Sequence, residues 1–184
     1  MTSILKVDSI QNAAGTVIMP VMAGGIIQTQ FTQFTGTNSV VASSASDNVL
    51  TDLTVNITPT SASSVIRIQA HVFGEYGSSA NGAHNSVFFF YRDTTKLSAP
   101  NSGSRASGIT SATLTYWGEN AATTAEVANY DYYDTPNTTS QITYKVGIYF
   151  KTGQTYYVNR TKDDTDNNGN ERGISAITVM EIAQ

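Results

Sequence analysis

From Gly25 onward, apolar and polar residues tend to alternate along the chain. A period of two belongs to strands that turn one face to a core. Ile26 to Phe34 alternates loosely. Leu53, Val55 and Ile57 fall on one face, with Asp52, Thr54 and Asn56 on the other. Ile66, Ile68, Ala70 and Val72 alternate with Arg67, Gln69, His71 and Phe73, and Tyr144 to Phe150 repeats the pattern. Ser86 to Tyr91 carries aromatic residues on both faces. Thr113 to Trp117, Val127 to Tyr133, Thr155 to Val158 and Ile174 to Ile182 complete the predicted strands. Clusters of Gly, Pro, Asn and Ser separate these runs, and no useful window has a helical period with caps. The pattern predicts an all-β chain folded as an antiparallel jelly-roll sandwich.

The first 24 residues read differently. Ile4-Leu5-Lys6-Val7 is a short strand candidate, Asn12 to Gly15 a turn, and Thr16 to Met19 a second short strand. Pro20 and Gly24-Gly25 then interrupt the chain. This unit has too few apolar residues for a core of its own. The expected organisation is therefore an N-terminal β appendage over 1–24 and a head domain over 25–184. Ile4, Leu5, Val7 and Ile10 are the expected anchor residues of the appendage.

The last predicted strand is apolar on both faces. Ile174, Ala176, Thr178, Met180 and Ile182 alternate with Ser175, Ile177, Val179, Glu181 and Ala183. Only one face of such a strand is needed for the core of a sandwich. The other is expected either to pack on another subunit, with Ile177 and Val179 as its contacts, or to leave a few apolar residues of a central strand exposed. The aromatic residues pose the same problem. Phe88, Phe89, Phe90, Tyr91, Tyr116, Trp117, Tyr130, Tyr132 and Tyr133 cannot all point inward from strands. Tyr and Trp are enriched at interfaces, so Phe89, Tyr116 and Tyr132 are expected at an oligomer interface. Stacking on sugars is the alternative use for such rings.

Composition narrows the chemistry. The chain has 184 residues, 0 cysteines and a formal net charge of −4, with 13% of residues charged. Thiolate metal sites, disulfides and cysteine nucleophiles are excluded. Nothing builds the basic face of a nucleic-acid binder. No segment reaches the ~20 apolar residues of a membrane helix. Met1 to Lys6 carries one basic residue and Pro20 breaks the short apolar stretch from Val17 to Met22. The expectation is synthesis in a host cytoplasm without a signal peptide.

Candidate sites are few. Asp164-Thr165-Asp166-Asn167-Asn168-Gly169 matches the first half of a calcium loop, with Asp164, Asp166 and Asn168 as candidate ligands. The bidentate carboxylate such a loop requires six residues beyond the glycine is missing, because Ser175 stands there. Loop tips commonly have this composition without a metal. His71 and His84 are the only histidines, one on an outward strand face and one in a loop, and no nucleophile elbow accompanies them. Glu119, Glu126, Asp131 and Asp134 could pair for glycoside cleavage but follow no signature. A non-enzymatic protein without cofactors is expected.

Three stretches carry a resemblance. They are Ser3-Ile4-Leu5-Lys6-Val7-Asp8-Ser9-Ile10-Gln11-Asn12, then Tyr132 to Ser140 followed by Thr143-Tyr144, then Ile177 to Gln184. Pro59 to Ser64 before a strand, and Tyr157 to Arg160 before the last loop, fit the same order. The chain resembles virion structural proteins of tailed phages, notably those of marine cyanobacteria. The resemblance implies a homotrimeric jelly roll, similar in topology to complement- and tumour-necrosis-factor-like heads, serving in a tail fibre or as a capsid decoration. It implies docking to other virion proteins through the N-terminal segment and supplies no catalytic residues. The 75–86 and 97–112 loops depart from the pattern. The alternative function is a receptor-binding tip that recognises host surface glycans.

Overall fold

The computed structural model describes residues 23–42, 46–77, 86–111, 124–150 and 154–184. Among them are eleven strands and no helix. These are β1 (Ile26–Phe34), β2 (Asn38–Val41), β3 (Ser46–Ile57), β4 (Val65–Tyr76), β5 (Val87–Arg92), β6 (Thr95–Leu97), β7 (Thr110–Ser111), β8 (Glu126–Asp134), β9 (Ile142–Phe150), β10 (Thr155–Val158) and β11 (Ser175–Ile182). The fold is an all-β, antiparallel sandwich of the jelly-roll class.

The larger sheet runs β1-β11-β4-β10-β2, and β8 also pairs with β4. Gly74 pairs with both Val158 and Glu126, so β10 and β8 lie on opposite edges of β4. β11 covers the first part of β4, from Val65 to His71, and β10 takes over from Gly74 to Tyr76. The smaller sheet runs β3-β9-β5-β6, with β7 pairing β5. β1 and β11 pack on β3 and bring the two sheets together along one side.

The period-two pattern explains the core. Ile66, Ile68 and Val72 of β4 turn inward and are fully buried. Tyr144, Val146, Ile148 and Phe150 meet them from β9. β3 needs one correction to its phase. A register shift between Leu50 and Thr54 lets Leu50 and Leu53 both point inward, three residues apart. At one end an aromatic cluster fills the space between the sheets. Phe90 and Phe88 of β5 stack on Tyr130 at 4.7 and 5.9 Å, and Tyr76 meets Phe150 and Tyr156 edge-on.

β11 settles the question its sequence leaves open. Ile177 and Val179 are fully buried in the core of their own chain, so they do not face a neighbouring subunit as expected. The outward set is Ala176, Thr178, Met180 and Ile182, each half-buried. Three short strands, β2, β6 and β7, are absent from the predicted set because none of them carries the aromatic run that marks the equally short β10.

Candidate functional site

Directly paired residues share a sheet face, so the registers define what the larger sheet shows to its surroundings. One outward row is Phe31, Thr178, Gln69 and Asp131, running across β1, β11, β4 and β8. The next rows are Thr29, Met180, Arg67 and Tyr133 on one side and Gln33, Ala176, His71 and Asn129 on the other. Phe73 and Val127 extend the face beyond His71. Among the described residues, the large hydrophobics left exposed are Ile26, Phe31, Val41, Val127, Tyr133 and Ile174. All of them lie on strands of this larger sheet or, for Ile174, one residue before β11.

Four polar side chains on this face are matched within the chain. Arg67 donates to Asp131 from Nε and Nη2, at 3.2 and 2.8 Å, and its guanidinium lies 5.5 Å from the Tyr133 ring centre. His71 Nδ1 and Asn129 Oδ1 share a hydrogen bond of 2.8 Å. Half-exposed pairs of this kind add little stability. They do leave the face without unpaired charge.

The outward face of the smaller sheet is built differently. Phe89 points out from β5 yet is fully buried. Its ring lies over Gly147, where an added Cβ would come within 2.2 Å of it. The Lys96 ammonium caps the ring at 4.0 Å and is held by both carboxylate oxygens of Asp47, at 3.0 and 3.1 Å. Tyr91 closes the ring's other side edge-on. Phe89 is thus covered by its own chain, not by a subunit as expected.

Several buried polar groups hold the head together. Glu181 Oε1 accepts from Thr60 N and Oγ1, Ser61 N and Ser64 Oγ, while Oε2 accepts from Gln28. Burial pushes this carboxyl's pKa up, but the hydrogen bonds outweigh burial and hold it below the ordinary value. Asn159 is fully buried with φ of 61°. Its amide donates to Phe34 O and Gly36 O, both at 2.8 Å, and its oxygen accepts from Ser175 Oγ at 2.6 Å. Asp134 accepts from Arg92 Nη1 and from the Tyr144 hydroxyl at 2.7 Å, joining the two sheets. Burial raises the Tyr144 phenol well above its ordinary range, so it serves as a donor.

The other expected residues are placed as follows. Tyr132 pairs with inward-facing Ile68 and packs half-buried against the core, which removes it from the expected interface. Tyr116, Trp117, His84, Glu119 and the anchor residues Ile4, Leu5, Val7 and Ile10 lie outside the described residues. In the acidic loop, Asp164 Oδ1 accepts from Arg172 Nε at 2.7 Å, so a guanidinium already neutralises the first candidate ligand. Thr165, Asn167, Gly169 and Asn170 hydrogen-bond to one another as a loop tip. Among the described residues no three His, Cys, Asp or Glu side chains gather to hold a metal. Asp131 and Asp134 sit three apart on β8 and point to opposite faces, so they cannot flank one glycosidic bond.

Sequence reasoning missed Phe31 as a surface feature and left open which way Met180 and Tyr133 point. A signal was present for Phe31, since Phe31 and Phe34 are three apart in one strand and point to opposite faces where its register is regular, as it is here. No protein-family model matches the chain, and no curated protein matches its sequence.

Proposed function

We propose that the chain is a non-enzymatic structural component of a phage virion, in a tail fibre or appendage or as a capsid decoration, and that it forms a homotrimeric knob. The observation that carries the self-association is the one-sided exposure of large apolar residues on the larger sheet. Large apolar side chains left exposed on one sheet, whose charged groups are already paired, support an interaction surface there. Closed cyclic symmetry is the usual form of a homo-oligomer. The virion assignment rests on the ordered stretches at the start, middle and end of the chain. The N-terminal segment is proposed to join the knob to other virion proteins. Gold-labelled antibody against the chain tests this on particles purified from the producing host. Label at a fixed place on the particle is expected, and label confined to the particle-free fraction contradicts it.

A second reading is a tip that recognises host surface glycans. It is favoured by Tyr91 and Tyr149, half-buried on the outward face of the smaller sheet, with Lys145 directly opposite Tyr91. Binding of the full chain on a glycan microarray, lost on Tyr91→Ala, would move the assignment there.

A further inference from the structure

The connection from β6 to β7, residues 98–109, is pinned to its surroundings. Ile109 N donates to Phe88 O at 2.7 Å, and Ala99 N donates to Gly108 O at 3.1 Å. Gly108 lies so close to β5 that an added Cβ would come within 2.4 Å of Val87 Cβ. Between this connection and the start of β5 lies a pocket of about 300 Å³. Val87, Ala99, Pro100 and Ile109 supply its apolar lining, and Arg105 and Ser107 line it as well.

Both polar groups keep unused donors. Arg105 Nη1 donates to the Ser102 carbonyl and hydroxyl, both at 3.1 Å, which fixes the guanidinium from one side. Among the described residues no carboxylate pairs with it, whereas Arg67, Arg92 and Arg172 each hold an aspartate. Its Nε and Nη2 have no acceptor among those residues. Ser107 has only 8% of its surface open, and its hydroxyl has no hydrogen-bond partner among the described residues. Folded proteins seldom leave a buried hydroxyl unpaired. A held guanidinium and a free hydroxyl in one pocket make a donor set for a carboxylate, which accepts through two oxygens. Phosphate fits less well, because its further oxygen would meet the apolar lining without a donor. No aromatic ring lines the pocket, so nothing there stacks on a sugar. We infer that this pocket binds a small aliphatic carboxylate. Arg105 and Ser107 donate to its oxygens, and Val87, Ala99, Pro100 and Ile109 cover its carbon chain. Ligand pockets span roughly 300–1,000 Å³, so this one takes a body of about one residue. Such a group comes from a free branched acid or from the last residue of a peptide. The site lies within one chain and does not depend on the trimer proposed above.

The test is an NMR titration of the isotope-labelled full chain with sodium 4-methylpentanoate and, separately, with N-acetylleucine. Saturable shifts at the amides of Arg105, Ser107 and Ile109 are expected, with a dissociation constant on the order of 1 mM. The probe that binds more tightly identifies the source, free acid or peptide terminus. N-acetylleucinamide, with the same body and no charge, should leave these amides unmoved. Arg105→Gln should weaken binding about tenfold or more, through loss of a charge-assisted hydrogen bond. Arg105 is exposed, so the spectrum of that variant should otherwise match the wild type. Ser107→Ala should weaken binding less. No saturable shift at these amides with either acid overturns the inference, as does an equal response to N-acetylleucinamide. Tighter binding of glucuronate or inorganic phosphate at the same amides also overturns it, by giving the pocket a different ligand.

Discussion

Asn159 concentrates several demands on one residue. It sits where β10 ends and β11 approaches, and it bonds the β1–β2 connection. Its left-handed backbone favours Asn over most residues. Asn159→Ala removes both donors and the acceptor while keeping the strained φ. A loss of roughly 2–4 kcal/mol is expected in urea titration. The buried carboxylates Glu181 and Glu75 should respond to pH with opposite sign. Glu181 has its folded pKa below the ordinary 4.5, so its stabilisation is present at neutral pH. That stabilisation is lost as pH falls below about 4.5 through the folded value. Glu75 has its pKa raised above 4.5 by burial, despite bonds from the Lys162 and Thr124 amides. Its cost is present at neutral pH and is relieved by protonation. Urea midpoints between pH 3 and 7 check this. Glu181→Gln should be weaker at pH 7 and lose less on acidification, whereas Glu75→Gln should lose more on acidification than wild type. None of these polar clamps was legible in the sequence, because each joins residues 49 or more positions apart or depends on a backbone angle.

At the scale of elements, alternation in β4 and β9 predicted both the strands and their inward faces. β11 resisted, since both of its faces are apolar and the period alone cannot orient it. Its orientation follows from partners that periodicity does not encode. Glu181 must point where the Thr60 to Ser64 turn supplies donors, and that carries Ile177 and Val179 inward with it. Ile177→Asp should therefore unfold the chain itself, since it buries a charge without a partner. Met180→Asp on the opposite face should leave the melting of the isolated chain nearly unchanged. Circular dichroism during heating separates the two. On β5, Phe89 shows a second use of an outward aromatic residue. It is enclosed by Gly147, Lys96 and Tyr91. Phe89→Ala should cost about 3–5 kcal/mol, the cost of truncating a buried aromatic side chain. Gly147→Ala should also destabilise, because its Cβ has no room beside the ring. Chemical denaturation measures both.

At the scale of the whole molecule, the two sheets have unlike exteriors. The smaller sheet encloses outward-pointing Phe89 with an ion pair, while the larger sheet leaves Phe31, Tyr133 and Val127 open. The sequence signalled that some apolar face would be unpaired but not which sheet would own it, because that depends on the register between strands distant in the chain. The account turns on that larger face joining copies of the chain. Light scattering of the full-length protein at micromolar concentration tests it most directly. A mass of three times 19.7 kDa is expected for the wild type, falling to 19.7 kDa for a folded Met180→Asp variant. A wild-type mass of 19.7 kDa would contradict it.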